Sequence, residues 1–388
     1  MCRFSCLCRW DLVQLFNKPA GLIAAEGSAR AATGCFVKRI MKIWKGFEHG
    51  INFGGWLSQC RHAEEHYVSF IREDDFAKVK SWGLDHIRVP VDYELFEDDK
   101  GNFIPERFCY IDFAVKECEK NGLNMVLDLH RTRGYSFDEG HGETGFFDSP
   151  ELQEHFCVVW EELATRYGKY ENVAFELLNE VTRKEYSDTW NRVADACIKR
   201  IRRIAPETPI LVGGYYNNSV EALKDLAMPQ DENIIYNFHC YEPLVFTHQG
   251  ATWISTMDPS FRCPYRMTYQ DYTEKSVEQL GGGFANAFAG FSMDAAIDET
   301  YFERHFAEAV SVAEARNVRL YCGEYGVIDR VDPEEVLLWY KDFHKALSKH
   351  GIGCAAWTYR RMDFGIDDAR MDGVRDRLLG LITRKEQA

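Results

Sequence analysis

Residues 173–181, VAFELLNEV, open like a buried β-strand, yet the apolar run closes on Asn179 and Glu180 with no turn residue between them and the core. Runs of this kind recur along the chain. They start at His49 (HGINFGGWL), Leu84 (LDHIRVPV), Asn124 (NMVLDLH), Val173, Pro209 (PILVGGYY), Ile234 (IIYNFHCYEP), Val318 (VRLYCGEYGV) and Gly353 (GCAAWTYR). Successive starts lie 35, 40, 49, 36, 25, 84 and 35 residues apart, and most gaps hold helix-like segments such as 107–120, 183–204 and 333–350. The last of these begins with Pro333 and two glutamates, a sound helix start. Eight strands alternating with helices predict an α/β fold, the parallel (β/α)8 TIM barrel. A doubly wound open sheet would favour a glycine-rich phosphate turn after its first strand, and 52-NFGGWLSQ lacks the GxGxxG spacing.

The gap of 84 residues marks an insertion over 244–299, between the sixth strand and the helix that follows it. Its aromatic residues, among them Trp253, Tyr265, Tyr269, Tyr272, Phe284 and Phe288, suit either a small core of its own or flat rings lining a sugar cleft. Residues 1–40 stand apart, with six Lys/Arg against two Asp/Glu where the remainder has 40 against 59. Asn17-Lys18-Pro19 breaks any signal-peptide core, so we expect a disordered leader or a non-native extension over 1–40 and one catalytic domain over 41–388. The net charge of −15 argues against nucleic acid or an anionic membrane as partner, since both call for a basic surface. Thirteen scattered cysteines, an odd number, read as reduced thiols.

In such a barrel the C-terminal strand ends converge on one face. Here those ends carry Arg88, His130, Asn179, Glu180, His239, Tyr241, Glu324 and Trp357. Each alone has a plainer explanation: an ion pair, a hydrogen-bonded core histidine, a packing tryptophan. Their joint occurrence at six strand ends reverses that preference. Two are carboxylates, the requirement for glycoside cleavage, in which one acid protonates the leaving oxygen and the other supports the anomeric carbon. This reading makes Glu180 the acid/base, with a raised pKa, and Glu324 an ionised nucleophile held by a cation and a phenol, for which Arg88 and Tyr241 are the candidates. Glu176 lies four residues below Glu180 and is expected to fill a polar barrel layer. Strict alternation cannot aim both Asn179 and Glu180 inward, so an irregularity is predicted there.

The phrases INFGGWLSQ, DHIRVPVDY, VLDLH, AFELLNEV, YNFHCYEP, FTHQ, LYCGEYGV and WTYRRMDF, in this order, resemble glycoside hydrolase family 5 from about Gly50 to Thr383. The resemblance implies a (β/α)8 barrel that cleaves β-glucan with retention and without metal or other cofactor. It implies Glu180 as acid/base beside His239, and Glu324 as nucleophile held by Arg88 and Tyr241. His130 and Asn179 would bind sugar hydroxyls, and Trp357 would floor the sugar site. Val181 stands where many relatives have proline, and Arg131 follows His130 where many have a second histidine. The latter puts one sugar contact in doubt, and Arg131, Arg133, Arg360 and Arg361 are either subsite contacts or surface ion pairs.

The expected activity is endo-hydrolysis of β-1,4 or mixed β-1,3/1,4-glucan by a monomer. An exo-acting β-glucosidase or β-1,3-glucanase is the alternative within the fold, and a sugar-binding protein without catalysis the alternative outside it. The missing secretion signal points to the cytoplasm, whereas a polymeric substrate points outside the cell. The sites of Asp128, His130 and His239 do not suggest metal-ligand spacing, and there is no HxH or HExxH.

Overall fold

The computed structural model describes residues 43–385. The leader expected over 1–40 lies outside the described residues. Eight parallel strands close into a barrel in sequence order: β1 (His49–Asn52), β2 (His86–Asp92), β3 (Asn124–Arg131), β4 (Val173–Glu176), β5 (Ile210–Val212), β6 (Ile234–Cys240), β7 (Arg319–Tyr325) and β8 (Gly353–Ala356). Six fall inside the runs read from the sequence, and β2 and β3 run one residue past theirs, to Asp92 and Arg131. Helices follow most strands. The helix Pro333–His350 has Asp332 accepting from the Glu334 N–H at its start and Gly351 in the left-handed conformation at its end. Pro150–Tyr167 starts the same way, with Ser149 accepting from the Leu152 N–H. The connection from β5 to β6 departs from strict alternation, for it contains a single kinked turn at Tyr215–Asn218 and the short 3-10 segment Val220–Asp225 but no long helix. No helix among the described residues is long and apolar enough to cross a membrane.

The barrel interior is stacked in layers, as the two-residue period of each strand requires. Val126, Ala174, Leu211, Ile235, Tyr321 and Ala355 form the lowest, apolar layer, closed below by Trp44 and Phe47. The layer above is polar and buried: Asn52, Arg88, Asp128, Glu176 and Asn237. Arg88 is therefore not at a strand end, as the sequence reading had it. It is the third residue of a β2 strand that continues to Asp92, and its length carries the guanidinium upward. The alternation slips once in β7, where His239 pairs with Glu324 directly after Phe238 pairs with Cys322. The skipped residue is Gly323, whose N–H donates to Asn237 at 2.9 Å. A Cβ there would lie 2.7 Å from the Asn237 Oδ1, so only glycine allows the bulge that turns Glu324 to the upper face.

Between β6 and the helix Glu299–Arg316, residues 244–298 include the helix Tyr269–Leu280 and wall a cavity beside Glu180 and Tyr241. Tyr269 stacks on Phe291 with centroids 4.3 Å apart, and Tyr272 packs on Phe288 at 5.3 Å. The insertion's aromatics thus pack on one another and on Tyr301 of the following helix, continuous with the main core, while Trp253, Phe284 and Phe288 also line cavities.

Candidate active site

Arg88 organises the site from below. All five of its N–H donors are used: Nε and Nη2 to the two oxygens of Glu176 at 2.7 and 2.9 Å, Nη1 to Asn52 at 2.9 Å and to Glu324 at 2.7 Å, and Nη2 also to Asn179 at 2.9 Å. Glu176 accepts a further bond from Asn237 at 2.8 Å, so the polar layer is a connected network and Glu176 serves as an anchor for Arg88. A fully buried guanidinium in this setting holds its upper partners at fixed places.

Glu180 reaches the same face by a different route. Regular strand structure ends at Glu176, and Glu180 itself adopts φ +43°, which is the local irregularity that lets Asn179 and Glu180 both contribute. Tyr135 pins this turn: its hydroxyl donates to the Glu180 carbonyl at 2.6 Å and accepts from the Thr182 N–H at 2.9 Å. The Glu180 carboxyl contacts His239 Nδ1 at 2.8 Å and accepts from Asn217 Nδ2 at 3.1 Å. Asn217 lies in a run, Tyr216–Asn218, in which all three residues have positive φ. Asparagine tolerates that region better than most residues, because its short amide bonds locally. Asn218 in turn packs so close to Gly213 that a Cβ there would lie 2.2 Å from its Oδ1. Glycines and asparagines in GGYYNN were the available sign of this loop, which the sequence reading took as strand.

Glu324 accepts from Arg88 on one oxygen and from the Tyr241 hydroxyl on the other at 2.9 Å. Oxygens of Glu180 and Glu324, together with His239 Nδ1, lie within 4.8 Å of one another. Burial pushes Glu180 up to about 7, with no arginine or lysine bonded to it. Burial raises Glu324 as well, against the expectation of a carboxylate kept low by its neighbours, while the Arg88 guanidinium limits the rise. Burial lowers His239 and His130 to about 4, so both rings are neutral near pH 7. His130 turns Nδ1 to Asp128 at 2.6 Å, which leaves Nε2 as an acceptor. Asn179 spends its Oδ1 on Arg88 and leaves Nδ2 without a partner at the cavity wall. The same carboxylates and His239 are spaced to hold a cation, but the Arg88 guanidinium already occupies that electrostatic role.

Two cavities meet at Glu180, Tyr241 and His248. One, of about 90 Å³, is lined by both glutamates, His130, Asn179, Gln59, Trp253 and Trp357. The other, of about 240 Å³, touches Glu180 but not Glu324 and is walled by the insertion through Leu244, Ser276, Leu280 and Phe284. Trp357 lies parallel to His130, with centroids 5.9 Å apart and 3° between planes. Gly54 permits this, since a Cβ would lie 2.7 Å from the indole ring. His248 has its tautomer set by Thr247, whose hydroxyl donates to the Tyr241 carbonyl and so accepts from His248 Nδ1 at 3.0 Å. Its Nε2 is then an acceptor on a ring that lines both cavities.

All eight residues singled out in the sequence converge on this face. The reading missed Tyr135, Asn217, His248 and Gln59, which come from loops or the insertion and carry no strand-end signature, whereas Trp253 was among the insertion aromatics offered as cleft-lining rings. The four arginines in doubt are not equal. Arg131 bonds Asp92, Arg133 bonds Glu97 and Arg360 bonds Asp75, so these three are ion pairs, whereas the Arg361 guanidinium lies over Phe70.

The family model for cellulase (glycosyl hydrolase family 5) matches residues 44–363. Cellodextrinase A of Ruminococcus flavefaciens is 42% identical over 344 residues, covering 88% of this chain and 94% of that protein. Endoglucanase C of Acetivibrio thermocellus is 35% identical over 345 residues, covering 88% of this chain and 99% of that protein. A hyperthermophilic endo-β-1,4-glucanase solved with substrate superposes with a TM-score of 0.69 at 22% identity, over 88% of this chain and 97% of that one, a likeness of fold. By this match and these relatives, the chain belongs to the cellulase family, glycosyl hydrolase family 5.

Proposed function

We propose that the protein hydrolyses β-1,4-linked or mixed β-1,3/1,4-linked glucan with retention, with Glu324 as nucleophile and Glu180 as acid/base. The observation that carries this reading is the carboxyl separation, within 4.8 Å. Retaining enzymes hold their two carboxyls at about 5 Å, whereas inverting ones need about 6.5–9.5 Å to admit a water. Glu324 attacks the anomeric carbon as Glu180 gives its proton to the departing glycosidic oxygen. The resulting glycosyl ester is then cleaved by a water that yields a proton back to Glu180, and the ester oxygen returns to Glu324 as carboxylate. Glu180 at about 7 is protonated for the first step, and neutral His239 beside it does not compete for that role.

The smaller cavity, with both acids and Trp357, holds the sugar under attack, so the larger one, which sees Glu180 alone, receives the leaving sugar. Insertion residues wall that larger cavity, which favours short soluble cello-oligosaccharides over long chains. The similarity to a protein called cellodextrinase A supports the same preference.

The test is a pair of variants on two kinds of substrate. Glu324→Gln should abolish turnover while oligosaccharide binding persists. Glu180→Ala should impair cello-oligosaccharides far more than aryl glycosides whose leaving groups need little protonation. Equal losses on both would remove Glu180 from the acid role. A product time course on cellopentaose, carboxymethyl cellulose, lichenan and laminarin reads the chain-length and linkage preference directly.

A further inference from the structure

Among the described residues, three groups of histidine, cysteine and acidic side chains bring their ligand atoms within 4.8 Å of one another. In two of them a guanidinium already neutralises a carboxylate: Arg88 on Glu324, and Arg131 on Asp92 beside His62 and Glu94. The third, Cys240, Glu242 and His305, is different, because no lysine or arginine among the described residues forms an ion pair with Glu242. Cys240 ends β6 with its side chain turned away from the barrel interior, since His239 beside it points inward. Glu242 follows two residues later. His305 comes from the helix Glu299–Arg316, its ring parallel to Tyr301 with centroids 5.9 Å apart.

Glu242 Oε2 and His305 Nε2 are both buried and lack any hydrogen-bond partner. They lie 3.7 Å apart, too far for a hydrogen bond. That spacing is close to the roughly 3.4 Å between two ligand atoms on a tetrahedral ion with bonds of about 2.0–2.1 Å. The side chains remain 30% and 26% exposed, and both line the larger cavity. One thiol, one imidazole and one carboxylate are the mixed donor set of a borderline-soft divalent ion, not of magnesium or calcium, which take oxygen ligands.

We propose that Cys240, Glu242 and His305 form a binding site for a zinc-class divalent cation, with its fourth position open to the larger cavity. Forming the sulfur–metal bond releases the thiol proton to solvent, with no change of oxidation state. Under the reading of that cavity as the leaving-sugar site, a bound cation narrows it and inhibits. The site itself is testable without substrate.

The full-length chain is titrated with Co²⁺ alone, following thiolate-to-cobalt charge-transfer absorption, and the bound cobalt is then displaced with Zn²⁺. One equivalent should produce the band, and Zn²⁺ should remove it. Cys240→Ser should abolish it. His305→Ala should weaken affinity by at least the roughly 10- to 100-fold seen when even an outer-shell partner of a metal ligand is lost. Glu324→Gln should leave band and affinity unchanged, because the catalytic cluster contains no thiol. The proposal is overturned by a wild-type titration without the band, by a band that survives Cys240→Ser, or by unchanged affinity in His305→Ala. Circular dichroism checks that each variant is folded. If Cys240→Ser does not fold, His305→Ala decides the matter, since that side chain is 26% exposed and borders the cavity.

Discussion

Replacing Tyr241 with phenylalanine removes a single oxygen, the one that donates to Glu324 Oε2 at 2.9 Å. The ring is kept in place by edge contacts to His248 and Phe364, with centroids 5.2 and 5.8 Å away, and phenylalanine preserves both. No other donor replaces the phenol. The nearest, His239 Nδ1, is 3.7 Å from that oxygen and already engaged with Glu180 at 2.8 Å. A hydrogen bond to a charged group contributes about 1.5–3 kcal/mol, and 1.36 kcal/mol corresponds to one pKa unit. The bond stabilises ionised Glu324, so its loss raises that pKa, and the acid limb of kcat/KM should move up by about 1–2 pH units. On the acid side of the profile kcat/KM should fall roughly 10- to 150-fold. An aryl β-cellobioside with a good leaving group isolates this limb, because it makes little demand on Glu180. Thermal unfolding and circular dichroism should show an intact fold. An acid limb that does not move, in a folded variant, would refute the argument that Tyr241 holds the nucleophile in its ionised form.

On unactivated cello-oligosaccharides, kcat/KM should fall above pH about 7 as Glu180 loses its proton. Asn217→Ala removes a hydrogen bond that favours the charged form, so a pH profile should place this basic limb higher still. Gly54→Ala puts a methyl group 2.7 Å from the Trp357 indole, and the forced shift, about 1–3 kcal/mol of overpacking, should raise KM more than it alters melting temperature. His344 is fully buried between Tyr325, Tyr340 and Phe343 with both ring nitrogens unpartnered. His344→Leu should stabilise the fold by about 1–3 kcal/mol in chemical denaturation. Burial holds the His344 pKa well below its ordinary value. As pH falls through about 6.5 the unfolded chain binds a proton that the folded one refuses. Wild-type stability should therefore decline on that acid side, and the variant should show less of the decline.

Much of the barrel was legible because burial on both faces forces long apolar runs, and because such strands must alternate with covering segments. The runs at His86–Asp92 and Ile234–Cys240 show this plainly. The β5–β6 connection was less readable, since a short 3-10 segment meets the same geometric need as a helix without its periodicity. Arg88 was misplaced in height for a related reason. Sequence position locates its Cα, whereas its function depends on where a long side chain ends.

Composition and local pattern located the eight strands and the long aromatic-rich stretch after the sixth, and drew attention to Glu180 and Glu324. Those are properties of neighbours along the chain: side-chain period, run length and the residue types that interrupt them. Only the tertiary structure decided how far apart Glu180 and Glu324 stand, that Arg88 divides its donors between the layer around it and Asn179 and Glu324 above, and that Asn217 and Tyr135 hold Glu180 in place. Each of these depends on groups tens or hundreds of residues apart meeting within a few ångströms, and on burial, which changes the cost of charge. Neither quantity is local, and so neither is written in any one stretch of the chain.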